Sequence, residues 1–407
     1  MARFKYQDRV RYSEQSGRPF AEQIDFFRRK LNLPTRRWDD IEKAAHDRAF
    51  IVAGAAKADL LHDPLKALHR AIEDKFRAGQ GLDEFRRDFK KIVEQHGWHG
   101  WTGEGTKAGE AWRTRVIYET NLRTSYAAGR WRQLNDPNLA KVAPYWQYVH
   151  SGKEHFRPQH RAWGNARLTL PREHPFWKTH YPPNGWGCGC TVTAVVAPRV
   201  GAMTTPPDGW DSPDPKTGTP PGIGKGWDYA PGANTDMELR CMVQDKLITY
   251  PPAIQRALIS EIGRKINAIN RIEDYIDAVL QDPSRTDDLW LGFVERPERF
   301  ADVVKTDLSH YLALLPSGVA QHVKKRHQYD GKGQRMATPE DLGRLLHGLE
   351  TGNPVPAGYN DADKHERFLV TWEENGEKFR AVWEVREGKR NRAVALVSLV
   401  IKTLGGK

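Results

Sequence analysis

The chain has 407 residues, 39% of them hydrophobic, and a formal net charge of +11. That is too long for one small core and too apolar for a disordered chain, so two or three folded domains are expected. Three cysteines exclude a disulfide framework, and no run approaches the roughly 18 apolar residues of a membrane span.

The excess of basic charge favours phosphate-rich surroundings but specifies no sequence-reading partner. The first residues, "MARFKYQDRVRYSEQ", contain no apolar h-region, so no secretory signal and no membrane partner are expected. An odd cysteine count with a Cys-x-Cys pair suits a reducing compartment or a metal.

Residues 18 to 135 read as helices. "PFAEQIDFFRRKLNL" places Phe20, Ile24 and Phe27 at helical spacing and stops at Pro34. Two further helices are expected over "WDDIEKAAHDRAFIVAGAAKADLL" and "LDEFRRDFKKIVEQHGW". The longest follows, near "GEAWRTRVIYETNLRTSYAAGRWRQLND", with Trp112, Val116, Thr120, Thr124, Ala127, Trp131 and Leu134 as its buried stripe. Arg113, Arg115, Arg123, Arg130 and Arg132 then fall on a solvated face, or on one that meets protein or DNA.

Alternation in "YWQYVHSG" indicates a strand, and "TVTAVV" a second one beyond a loop-rich stretch. Residues 198 to about 236 are crowded with Pro, Gly and Asp and read as a loop or linker. Their tryptophans and Tyr229 indicate that they pack on something. An amphipathic helix follows, carrying Ile254, Leu258, Ile262, Ile266, Ile269, Ile276 and Leu280.

In the last part "DLWLGFVE" is a candidate strand, residues 298 to 327 look helical, and Thr338-Pro339 is a strong helix start. "ERFLVTWEENGEKFRAVWEVREGKRNRAVALVSLVIK" reads as three antiparallel strands, with Asn375-Gly376 as a hairpin turn. Phe379, Ala381, Trp383 and Val385 share one face of the hairpin, while Arg380, Val382 and Glu384 share the other. "AVALVSLVI" belongs in the interior of the sheet.

The expected fold class is therefore multidomain α+β. It combines a helical N-terminal region, a loop-rich Cys/His knuckle with short strands, and a C-terminal α+β domain with an antiparallel sheet. The expected divisions are 15–197, a packed Pro/Gly-rich segment 198–250, a connecting helix 251–285, and a domain over 286–407.

The chemistry-bearing residues concentrate between the two early strands. His150, His155, His160, His174, His180, Cys188 and Cys190 are candidate ligands. Zinc takes about four N or S donors, and loop-rich units often need such a staple. The spacing is not that of a ribbon or finger, so buried thiols and loop-capping histidines remain the alternative. Pro182 and Pro183 stiffen the approach, "NG" at 184–185 supplies a turn, and Trp177 and Trp186 can seal the core.

"RPQH" at 157–160, followed by "PFWKTHYPPNGWGCGC", resembles the signature of Mu F-like phage head morphogenesis proteins, which are minor capsid proteins. "PFAEQIDFFRRKLNLPT", "AFIVAGAAKADLL" and "GWDYAPGA" are similar to the same family. The resemblance covers residues 15 to 235 and implies His160, Cys188 and Cys190 as ligands of a zinc ion. Gly189 stands where relatives often place Arg, which removes a possible cationic contact. The resemblance further implies manufacture in the host bacterial cytoplasm and a place in the virion or procapsid. Portal, major capsid or scaffold proteins would be partners, with packaged DNA near the basic surface.

"GVAQHVKKRHQYD", residues 318 to 330, resembles the helix of phage nuclease domains with the barnase–EndoU–colicin–RelE fold. That resemblance implies metal-independent RNA cleavage, with no cofactor, by His322, Arg326 and His327. A histidine would move the proton of the ribose 2′-hydroxyl or of the leaving oxygen, and Lys325 or Arg326 would meet the phosphorane charge. Glu384 is an alternative base, and a core position for His327 is the plain alternative reading.

Three functions are compatible with these readings. The chain is an assembly protein with a passive or an RNase-like tail domain, an endoribonuclease toxin delivered by a phage-derived particle, or a DNA-binding zinc protein.

Overall fold

The spacing of apolar residues builds the first helices, and the computed structural model shows which faces they bury. It describes residues 20–32, 50, 52, 62–233, 236–266, 269–282, 284, 286–326, 334–360, 364–388 and 391–404. Two compact units divide the chain, Met1–Asn234 and Thr235–Lys407.

The first unit begins with helices α1 (Ala21–Arg28), α2 (His62–Arg77), α3 (Leu82–Gln95) and α4 (Lys107–Leu134). Phe27, Leu68, Ile72, Phe85, Phe89, Ile92, Tyr118 and Leu122 interlock between them as one core. Most of the expected helix over "WDDIEKAAHDRAFIVAGAAKADLL" lies outside the described residues.

Helix α4 departs from its expected stripe. It buries Arg113, Thr114, Ile117, Tyr118, Asn121, Leu122, Ser125 and Ala128 as well as Thr120, Thr124 and Ala127, whereas Trp112 is 51% exposed. A helix enclosed on most sides carries no single apolar stripe, so its periodicity misleads. Arg113, placed on the solvated face by spacing, is 3% exposed. Its Nε and Nη2 have no hydrogen-bond partner among the described residues. Burial pushes its guanidinium down to about 10.

After α5 (Pro137–Val142) come β1 (Tyr145–Val149), α6 (Pro158–Asn165), β2 (Thr169–Pro171), α7 (Phe176–His180) and β3 (Thr191–Val195). The strands form an antiparallel sheet in the order β2-β1-β3. The alternation read in "YWQYV" is kept, with Trp146 and Tyr148 fully buried. Trp146, Tyr148, Trp163, Phe176, Trp177, Tyr181, Trp227 and Tyr229 make a second core that the two cysteines join.

The second unit starts with α8 (Asp236–Leu247), α9 (Pro252–Ile266) and α10 (Ile269–Gln281). Its sheet runs β4 (Leu289–Phe293), β5 (Leu312–Leu315), β10 (Ala393–Thr403), β9 (Glu377–Arg386), β8 (His365–Glu374) and β7 (Asn353–Asn360), with β6 (Gln334–Arg335) on β10. The sheet is mixed rather than wholly antiparallel, because β10 pairs β5 in parallel. Residues 298 to 327, expected to be helical throughout, contain a 3-10 turn (Pro297–Phe300), strand β5 and helix α11 (Ser317–Arg326). Leu312 to Leu315 are all buried, and a short continuous apolar run cannot be told from a buried helix by period.

Helices α12 (Pro339–Gly343) and α13 (Leu345–Thr351) complete the unit. The Thr338 cap forms as read, in a capping box with Asp341. Arg335 clamps that box to β9 through Asp341 (2.6 and 2.9 Å) and Glu377 (2.5 Å to each oxygen). Beneath the strands Phe368, Val370, Trp372, Phe379, Ala381 and Trp383 meet Ile272, Ile276, Leu342 and Leu345.

Asn375 and Gly376 turn the β8–β9 hairpin at φ 51° and 75°, the paired positive values of a type I′ turn. Gly376→Ala is expected to cost about 1 kcal/mol, because a Cβ disfavours this region. Chemical denaturation of the protein should show the transition of this unit at lower denaturant; an unchanged midpoint would contradict the turn assignment.

Candidate metal centre

Pro158 opens α6 at a position where its missing N–H costs nothing. The short helix turns His160 and Trp163 inward, and His160 is 2% exposed. Cys188 and Cys190 arrive on the loop between α7 and β3, both buried. One residue of loop separates them, so both sulfurs can face the same point.

His160, Cys188 and Cys190 converge, their ligand atoms all within 4.8 Å of one another. His160 Nδ1 lies 3.6 Å from the Cys188 sulfur and 3.8 Å from the Cys190 sulfur. The N···S edge of a tetrahedron with Zn–S of ~2.3 Å and Zn–N of ~2.0 Å is ~3.6 Å. The opposite ring nitrogen, Nε2, sits 2.8 Å from the Gly222 carbonyl oxygen. A carbonyl only accepts, so Nε2 carries the proton and donates it. Nδ1 is thereby left with a lone pair aimed at both sulfurs, the arrangement that orients a ligating histidine.

The sulfurs are themselves surrounded by donors. The Asn184 backbone amide lowers the pKa of Cys188 and the Ser151 amide that of Cys190, while the nearby Tyr148 hydroxyl donates to Asn184 Oδ1 at 3.3 Å. The two thiols share one proton preferentially. Hydrogen bonding from Cys190 holds the Cys188 thiol well below the usual thiol range, with His160 adding to the effect. Cys190 keeps its proton, pushed up by the same bond and by burial. Tyr148 is driven upward by burial and by the adjacent thiols.

Close approaches explain the glycines. A Cβ on Gly185 would stand 2.4 Å from Arg157 Nη2, whose guanidinium donates to the Trp186 carbonyl at 3.3 Å. A Cβ on Gly189 would lie 3.1 Å from both Lys153 Cε and Ser151 Cβ. Lys153 fills that side and reaches the Gly187 carbonyl at 3.3 Å and Glu119 at 3.7 Å. A cation therefore stands beside the cysteine loop although residue 189 supplies none.

The Pro/Gly-rich segment closes the centre. Besides the Gly222 carbonyl, the Gly224 amide donates to the Asn184 carbonyl at 2.9 Å. Ile223, Trp227 and Tyr229 enter the same core, and Gly222 lies so close to Trp163 that a Cβ would stand 2.6 Å from its ring. Gly222, Asn184, Ser151 and Tyr148 were not legible as parts of a site. The amides beside the sulfurs and the acceptor for His160 are contributed by backbone, which leaves no residue type to read.

The other candidate histidines stay outside the cluster. His150 Nδ1 accepts from the Gly152 amide and His174 Nδ1 from the Phe176 amide, each at 3.1 Å. His155 is exposed. His180 is fully buried, stacked on Phe176 at 4.1 Å and bonded to Thr179 at 2.8 Å. Of the C-terminal candidates, His322 is exposed on α11. Arg326 ends that helix with its side chain outside the described residues, as is the side chain of Lys325, and His327 lies outside them altogether. Glu384, expected to face outward as an alternative base, is 8% exposed. It is ion-paired to Arg367 at 3.2 Å and Arg386 at 2.9 Å, which leaves it a structural carboxylate.

Residues 66–193 match the family described as Phage Mu protein F like protein. That stretch contains His160, Cys188, Cys190, strands β1 and β2 and the start of β3. The chain is 36% identical over 190 residues to capsid assembly protein F of Escherichia phage Mu, covering 45% of this chain and 42% of that protein. It is 34% identical over 165 residues to the Mu-like prophage FluMu F protein of Haemophilus influenzae, covering 40% and 38%. The Mu F-like match thus spans about two-fifths of each relative. No solved structure matches the chain.

Burial lowers the pKa of His180 to about 4. The unfolded chain takes up this proton as pH falls through ~6.5, the folded chain only near 4, so His180 withdraws stability between those values. Denaturant midpoints should fall from pH 6.5 towards pH 4.5, and His180→Phe should flatten that decline. An equally steep decline in the variant would assign the effect to other groups.

Proposed function

We propose that the chain acts in phage head morphogenesis, associated with portal, major capsid or scaffold proteins in the procapsid and virion. The observation that carries this reading is the location of the Mu F-like match. It falls on the elements that build the His/Cys centre, and one matched relative is named as a capsid assembly protein. The formal charge of +11 suits a place beside packaged DNA. Co-expressed with phage portal and major capsid proteins, the chain should sediment with procapsids. Its absence from sedimenting particles would contradict the reading.

His160, Cys188 and Cys190 would hold a zinc ion. Three features favour it: the N···S edges of 3.6 and 3.8 Å, the histidine tautomer set by Gly222, and the backbone amides beside the sulfurs. Zinc here would act as a staple, joining the cysteine loop, α6 and the Pro/Gly-rich segment at an end of the unit with little regular structure. Chain purified without chelator should carry one zinc by elemental analysis. Cys188→Ser and His160→Ala should lose it and unfold this unit at lower temperature. Stoichiometric zinc retained by Cys188→Ser would remove that cysteine from the set.

A second reading adds RNA cleavage by the C-terminal unit. In its favour stand an antiparallel β8–β9–β10 run, a helix α11 packed through Ala320 on the core beneath it, and an exposed His322 on that helix. The full chain should then cut RNA without metal, and His322→Ala should slow cutting by about a hundredfold or more, the usual contribution of a general acid or base. RNA left intact by the wild-type chain would end this reading.

A further inference from the structure

The chain provides three donors to the centre among the described residues, His160, Cys188 and Cys190, and the neighbouring Tyr148, His150 and His180 stand outside that set. The Tyr148 hydroxyl donates to Asn184 Oδ1 at 3.3 Å. His150 spends its Nδ1 lone pair on the Gly152 amide, which places the ring proton on Nε2 and leaves no lone pair to coordinate. His180 packs among Phe176, Trp163 and Trp210; its Nε2 has no hydrogen-bond partner among the described residues, but it is not one of the ligand atoms that lie within 4.8 Å of one another.

One hollow does reach the cysteines. A cavity of ≈ 30 Å³ lies between α4 and the loop bearing Pro182 and Pro183, with Cys188, Cys190, Arg123 and Arg130 in its wall. That space is enough to admit a water-sized group. The two arginines differ in what they have left to offer. Arg123 is ion-paired to Glu119. Arg130 donates to the neutral side chain of Gln133 at 2.6 Å and forms no ion pair among the described residues. A guanidinium without an ion-pair partner among the described residues therefore overlooks a small hollow lined by the two cysteines.

We propose that the fourth position of this centre is exchangeable, reached through the cavity, and that Arg130 makes it a site for a small monodentate anion. This rests on the metal reading above and narrows it. The centre would hold its ion by three protein donors and leave one corner to water, hydroxide or a comparably small anion.

Cobalt(II) is the probe, because its visible bands report a change of ligand directly, and azide is the anion. Full-length protein loaded with one cobalt should show bands that azide shifts saturably. Arg130→Gln should take up cobalt equally and show the same bands without azide, while binding azide roughly two- to five-fold more weakly, the effect of losing one partly exposed charge. Arg115→Gln, at an exposed position of α4, should bind azide as the wild type does.

Bands that azide leaves unmoved in a protein holding one cobalt would overturn the exchangeable position and spare the metal centre. Equal azide affinity in Arg130→Gln would overturn the role of that arginine. Wild-type chain that takes up no cobalt, or a double Cys188→Ser, Cys190→Ser variant that takes it up equally, would overturn the centre and the inference together.

Discussion

The hydrogen bond from His160 Nε2 to the Gly222 carbonyl, 2.8 Å long, constrains more of the first unit than any other single contact. It does two things at once. It selects the ring tautomer that turns a lone pair towards Cys188 and Cys190, and it fastens a segment that has neither helix nor strand to the buried side of α6. An uncharged bond of this kind contributes only about 1 kcal/mol net. Its importance lies in what it aligns, since the opposite ring nitrogen can face both sulfurs only while Nε2 is satisfied.

Around that bond the structure replaces regular secondary structure with rings and backbone donors. Trp131 meets Trp146 and Tyr181 edge to face, and Trp146 packs at a tilt on Trp177 and Tyr181, each pair within 6 Å; such contacts give shape-specific cohesion beyond burial. Loops carry many amides and carbonyls that no ladder satisfies. Here several of those groups are spent on the centre: the Asn184 and Ser151 amides on sulfur, the Gly222 carbonyl on histidine. A loop-rich end and a polar cluster therefore support each other, and neither is explained alone. The second unit follows a different logic, in which a central apolar strand, β10, is flanked by β5 and β9 and satellite charges such as Arg335 tie helix caps to strand ends.

Local signals were legible where a residue type has one physical use. Asn375-Gly376 gave its hairpin, Thr338-Pro339 its cap, and the alternation of Tyr145 to Val149 its strand. The convergence of His160, Cys188 and Cys190 came through family resemblance rather than spacing, because the histidine and the cysteines are far apart in sequence. Arg113 misled because helix α4 is enclosed on most sides, and Leu312 to Leu315 misled because a buried strand needs no alternation. Gly222 and Asn184 were invisible for a deeper reason. Their contributions are main-chain groups, common to every residue, and only the path of the chain brings them to the site.

The histidine–cysteine cluster and the Pro/Gly-rich segment are expected to form one cooperative piece. Amide hydrogen exchange across residues 184–190 and 219–230 tests this directly, comparing the wild-type chain with His160→Ala. Both stretches should lose protection together in the variant, including the Gly224 amide, while helices α3 and α4 keep theirs. Protection of 219–230 that survives unchanged when 184–190 opens would contradict it.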